Sequence, residues 1–156
     1  MTEQKTITAE RVIDAPAKEI FDVLSNPERH HETDATGMVG TDQKSDRIQA
    51  TGDTFVMNMS RRQGNETIDY QTKNHVTGFA DGKLIAWQPG LVDRDDTIGV
   101  EWLYELEPQG ADSTSVRLTY DWRNASAKII EKFGIPAFDE NSLAASLGKL
   151  AEAVAG

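Results

Sequence analysis

The chain has 156 residues, no cysteine, and 26 acidic against 16 basic side chains, for a net charge of −10. That length suits one domain, residues 1–156, able to bury about 70% of its unfolded surface without a metal or disulfide staple. The missing cysteines exclude disulfides, thiol nucleophiles and zinc–thiolate or iron–sulfur sites, and the negative surface disfavours nucleic acid and anionic lipid.

The opening "MTEQKTITAE" has no apolar core to serve as a secretory signal, and no run reaches membrane-spanning length. A cytoplasmic protein with no membrane insertion is therefore expected. The first strand is expected over 6–14, with Ile7, Ala9 and Ile13 on one face, and it ends before Pro16, which disfavours helical geometry at the residue preceding it. Ile20, Phe21, Val23 and Leu24 then recur at helical spacing, which predicts an amphipathic helix over about 17–25. Asn26 as cap and Pro27 as first helical residue start a second short helix through about His31.

Residues 35–54 are rich in Gly, Thr and Asp and read as a loop with one or two weak edge strands. Period-two alternation follows. Phe55, Met57 and Met59 share one face, as do Ile68, Tyr70, Thr72 and Val76. His75 falls with Lys73 and Asp69 on the polar face, which argues against a buried base. Asp81-Gly82 marks a hairpin, and "LIAWQ" is a short strand. Trp87 faces inward only if Ile85 does and Leu84 does not. Val100, Trp102, Tyr104 and Leu106 align on the next strand, and Val116, Leu118, Tyr120 and Trp122 on the last. Hairpin-length links make the sheet antiparallel, with one solvated face. A short helical piece is expected near 128–133. From Asp139 onward, Leu143, Leu147, Leu150 and Val154 recur at helical spacing behind an acidic first turn. The expected class is α+β: a curved antiparallel sheet of six or seven strands around a long C-terminal helix.

This order, with "RVIDAPAKEIFDVLSNPERH", "GDTFVMNMS" and "NSLAASLGKLAEAV", resembles the helix-grip superfamily. That group includes START-related lipid-transfer domains, birch-pollen-allergen-like proteins and bacterial polyketide cyclase/dehydrase-like proteins, the last being the branch this chain resembles. The resemblance implies an apolar cavity between sheet and C-terminal helix, used in family members for lipids, hormones or aromatic polyketides. It carries no family-wide catalytic motif.

The stretch "NPERHHETD" pairs two histidines with carboxylates. Neighbouring residues on an α-helix diverge by about 100°, so His30 and His31 do not chelate one ion, and no metal is expected. The stretch reads as a solvated helix end; alternatively the resemblance, which places the second helix at the cavity mouth, implies that His31 or Asp34 turns inward there. "DRDDTIG" fails calcium-loop spacing, with Thr97 and Ile98 at the ligand and glycine positions and Tyr104 where a glutamate belongs. No nucleophile elbow, phosphate loop or dinucleotide fingerprint occurs, so no cofactor is expected and catalytic residues stay unassigned.

The expected lining is Phe55, Met57, Met59, Tyr70, Trp87, Trp102, Tyr104, Tyr120 and Trp122, with Leu143 and Leu147 from the C-terminal helix and His31 and Asp34 as polar anchors. Three functions compete. The first is a binding module for a hydrophobic small molecule, as monomer or homodimer. The second is a cyclase/aromatase-type enzyme using Tyr70, Tyr104, His31 and Asp34 as weak acids or bases. The third is a protein-interaction role like that of the activators of the ninety-kilodalton heat-shock chaperone. That branch shares the outline of "IDAPAKEIFDVL", but the tryptophan expected after its second helix is missing from "HHETDATGM".

Overall fold

The structure is a computed structural model and describes residues 5–34, 38–42, 46–93 and 96–155. Residues 35–37, in "DATGMVG", and 94–95, in the aspartate-rich loop, lie outside that set.

Strand β1 (Thr6–Ile13) leads into α1 (Ala17–Leu24) and a 3₁₀ helix (Pro27–Thr33). Six strands follow: β2 (Val39–Asp42), β3 (Thr54–Gln63), β4 (Glu66–Ala80), β5 (Leu84–Leu91), β6 (Glu101–Gly110) and β7 (Ser113–Asp121). Helices α2 (Ala127–Phe133) and α3 (Glu140–Ala155) complete the chain. The sheet is seven-stranded and antiparallel, in the order β1-β7-β6-β5-β4-β3-β2. Each strand from β2 to β7 therefore pairs with its sequence neighbour, and β1 closes onto β7.

The alternating faces emerge as the sequence pattern requires. Phe55 and Met57, Ile85 and Tyr104, and Val116, Leu118 and Tyr120 are all buried on the concave side. Ile85 pairs with Tyr104 and Trp87 with Trp102, which settles the phase of β5 with Ile85 and Trp87 inward. Two strands run further than expected. β4 continues through Phe79 and Ala80 to a turn at Gly82, where φ is +76°. β5 continues through Pro89 and Gly90. Proline is tolerated there because the register with β6 ends at Trp87–Trp102, and the Pro89 carbonyl, on that side, accepts the Ile98 N–H at 3.1 Å. Gly90 is required at this point, since a Cβ would stand 2.4 Å from the Asp96 carbonyl oxygen.

Helix α3 starts where Asp139 caps it, its carboxylate accepting the Ser142 N–H at 2.9 Å. Its stripe of Leu143, Leu147 and Leu150 is fully buried against β1, β7 and α1. Arg29 of the 3₁₀ helix donates to the Ala153 carbonyl at 3.1 Å and pairs with Glu32, placing a cation at the negative end of α3. Among the described residues, no helix is long and apolar enough to cross a membrane.

Because Leu147 is fully buried in the helix–sheet contact, Leu147→Ala is expected to cost about 2–5 kcal/mol of unfolding free energy. Urea titration followed by circular dichroism measures this, and a midpoint equal to wild type would contradict the packing described.

Candidate functional site

Between the concave face of β3–β7 and the segment from α2 to Phe138 lies a cavity of about 430 Å³. Its wall comes first from aromatic rings. Trp87 stacks with His30 at 4.9 Å between centroids and with Tyr104 at 5.9 Å, and Phe55 meets both His30 and Trp87 edge-on. A second group joins Trp102 with Tyr120 at 4.6 Å and Phe138 with both. Met57 and Met59 of β3 also line it and supply an adaptable surface.

The polar groups are few. The 3₁₀ helix buries Pro27, His30 and Thr33, one residue in three, which is the period of that helix. Asn26 caps it by accepting the Glu28 N–H at 3.2 Å. The His30 ring lies 2.7 Å by Nε2 from the Leu24 carbonyl, so that nitrogen is the donor. The Thr33 hydroxyl donates to the His30 carbonyl at 3.0 Å and sits beside the Tyr104 phenol. The Asp34 carboxylate accepts the Val39 N–H at 3.0 Å and lies within electrostatic reach of the same phenol. Asn74, buried on the inward face of β4, donates to the Phe55 carbonyl at 3.3 Å and the Thr72 hydroxyl at 3.1 Å. Toward the β3–β4 turn, the Arg61 guanidinium stands over the Tyr70 ring. The Tyr120 hydroxyl accepts the Ala137 N–H at 3.3 Å, fixing the segment that roofs the cavity.

Burial raises the phenol ionisation of all three tyrosines, most strongly at Tyr104, where the nearby Thr33 hydroxyl offsets part of the effect and the charge of Asp34 adds to it. The Arg61 charge at Tyr70 and the Ala137 N–H at Tyr120 partly offset the rise there.

The structure brings nine of the expected site residues to this cavity: Phe55, Met57, Met59, Tyr70, Trp87, Trp102, Tyr104, Tyr120 and Asp34. Four others stand elsewhere. His31 is exposed, because the three-residue period turns its neighbour His30 inward instead. Trp122 is buried against Tyr120 past the end of β7. Leu143 and Leu147 are spent on the core between α3 and the sheet, and among the described residues α3 contributes only Ser146 to the cavity. Sequence reasoning missed His30, Thr33 and Asn74. Asn74 shares the parity of Thr72 and Val76, so strict alternation marks it. The spacing of Pro27, His30 and Thr33 marks the other two once a 3₁₀ period is assumed.

No family model matches the chain. It is 27% identical, over 143 residues and 88% of its length, to the uncharacterised protein Rv0088 of Mycobacterium tuberculosis. The chain spans 59% of that relative's length. Among solved structures, the Zhui aromatase/cyclase from a Streptomyces species superposes with a TM-score of 0.64 at 12% identity, covering 97% of this chain and 93% of that one. Norcoclaurine synthase from Thalictrum flavum, solved with dopamine and hydroxybenzaldehyde, gives 0.62 at 17% identity, covering 97% and 86%. At these identities the likeness is one of fold.

Raised phenol ionisation has a consequence for stability. Below the unfolded tyrosine value, about 10, both folded and unfolded chains hold the proton and the full stability is present. Above it the unfolded chain ionises first, so stability falls as pH climbs toward the raised folded values. An ultraviolet titration should show tyrosinate forming later than in free tyrosine, and Tyr104→Phe should remove the last component. Ionisation of all three at the free value would contradict the burial.

Proposed function

The chain has the helix-grip fold, and from that premise we propose that it is a small-molecule binding protein, holding an apolar or aromatic guest, lipid- or polyketide-like, in the cavity described above. One observation carries this reading. A space of about 430 Å³ falls within the range of roughly 300–1,000 Å³ common to small-molecule sites, and its wall is aromatic and thioether with a handful of polar groups. Trp87, Trp102, Tyr104 and Tyr120 all border that one void. Flat, polarisable walls suit a flat, apolar guest.

A second reading, a cyclase/aromatase-type enzyme, is favoured by a single feature. The Tyr104 hydroxyl is deep rather than at the rim, with the Asp34 carboxylate nearby. A phenol kept protonated by burial is suited to donate a proton to a developing enolate, and a carboxylate to accept one. On that reading wild-type protein turns over a poly-β-keto thioester and Tyr104→Phe slows it at least about tenfold, or roughly 1.4 kcal/mol. Absence of turnover by the wild type would end it.

Guest binding stabilises the folded chain by mass action, by about 2.7 kcal/mol at a hundred times Kd. For a domain of this size that is a Tm rise of roughly 5–10 °C. Thermal melts with planar aromatics, sterols and fatty acids, beside native mass spectrometry of freshly purified protein, measure it. No shift with any class and no co-purified adduct would defeat the binding reading.

A further inference from the structure

Strand β3 turns Phe55, Met57, Met59 and Arg61 toward the cavity at two-residue intervals, so the row ends in a cation. Across the β3–β4 hairpin, Arg61 pairs in register with Ile68, and Met59 with Tyr70. Tyr70 is therefore the diagonal neighbour of Arg61, within reach of a long side chain, and the guanidinium stands over its ring at 5.8 Å from the centroid. The chain carries a net charge of −10, and Arg29, Arg47, Arg117 and Arg123 each find a carboxylate. Among the described residues Arg61 finds none, and the Tyr70 hydroxyl has no hydrogen-bond partner. Burial raises the ionisation of that phenol, with the Arg61 charge offsetting part of the rise, so it keeps its proton at neutral pH. An exposed cation with a fork of donors and a phenol donor thus meet at one end of an apolar space.

We propose that the guest is an amphiphile whose polar end is a single carboxylate, held at the mouth by Arg61 and Tyr70, with its apolar body running inward past Met59 and Met57. The inference rests on the cavity being a binding site. Uncharged donors line the cavity too, among them the indole N–H groups of Trp87 and Trp102 and the hydroxyls of Thr72, Tyr120 and Ser146. They can hydrogen-bond an oxygen, but none balances a full charge, and an ionised carboxylate taken out of water needs both. Arg61 is the only lysine or arginine among the described lining residues, and Asp34, within electrostatic reach of Tyr104, is their only carboxylate. The first draws an acid head to the mouth; the second repels it from the Tyr104 end. One guanidinium offsets one unit of charge, which favours a carboxylate over a phosphate monoester carrying nearly two. From Arg61 to Phe55 the strand runs about 20 Å, at roughly 3.3 Å per residue, which leaves room for a body of two fused rings.

The test titrates 2-naphthoate, its methyl ester and 2-naphthyl phosphate calorimetrically into the full chain at neutral pH and low salt. Naphthoate is expected to bind at least about tenfold tighter than the ester, roughly 1.4 kcal/mol, with the phosphate weaker than naphthoate. The margin over the ester should shrink as added salt screens the exposed guanidinium. Arg61→Gln, at an exposed position, should bring naphthoate down to the ester's affinity and leave the ester unchanged. Tyr70→Phe should narrow the same ratio in part. An ester that binds as tightly as naphthoate, a naphthoate advantage that survives Arg61→Gln, or tightest binding by the phosphate overturns the carboxylate assignment while leaving the cavity reading intact. Failure of all three to bind overturns both.

Discussion

One helix has to cover the concave face of seven strands, and it is too narrow to do so. Strands stand about 4.8 Å apart, so seven of them span roughly 30 Å, whereas a helix with its side chains is about 10–12 Å wide. Helix α3 therefore covers about two strands, and it takes β1 and β7, where its leucine stripe is fully buried. The remaining concave face must be filled by the sheet's own side chains. That is why β3, β5, β6 and β7 carry Phe55, Trp87, Trp102, Tyr104 and Tyr120 at inward positions, and why a void remains even so. The cavity is a geometric remainder of the fold before it is anything functional.

The 3₁₀ helix determines which end of that remainder is closed. Its buried His30 bonds to the last residue of α1 through the Leu24 carbonyl, stacks on Trp87 of β5 and meets Phe55 of β3 edge-on. On its other side, Arg29 reaches the carbonyl of Ala153 near the end of α3. A single turn-like element thus ties α1, α3 and two strands together. At the other side of the cavity the covering is lighter. Helix α2 has no fully buried residue, and the segment after it is held by Phe138 against Trp102 and Tyr120 and by the Tyr120 hydroxyl on Ala137.

The two faces of the sheet divide the chemistry. The convex face carries ordinary solvated networks, such as Thr77 and Gln88 donating to Glu101 while Thr97 donates to Gln88, and pairs such as Arg117 with Glu10. Such exposed pairs contribute little to stability. The concave face concentrates the polarisable rings and the few polar groups that have directional hydrogen bonds.

Alternation of period two and the leucine spacing of α3 are local properties, visible wherever a strand or helix must hide one side. For this reason the strands, the class of fold and the inward set from Phe55 to Tyr120 were legible in the residues alone. The choice between core and cavity is not local. Leu143 and Leu147 look like lining residues until the helix is seen to lie on β1 and β7, and Trp122 until its ring is seen against Tyr120. His30 and His31 are equivalent as letters. Only the three-residue turn that follows Asn26-Pro27, packed beneath Trp87, makes one a buried anchor and leaves the other in water. The sequence by itself determined which faces had to be hidden; tertiary packing decided what hides them, because a helix narrower than its sheet can cover only part of it.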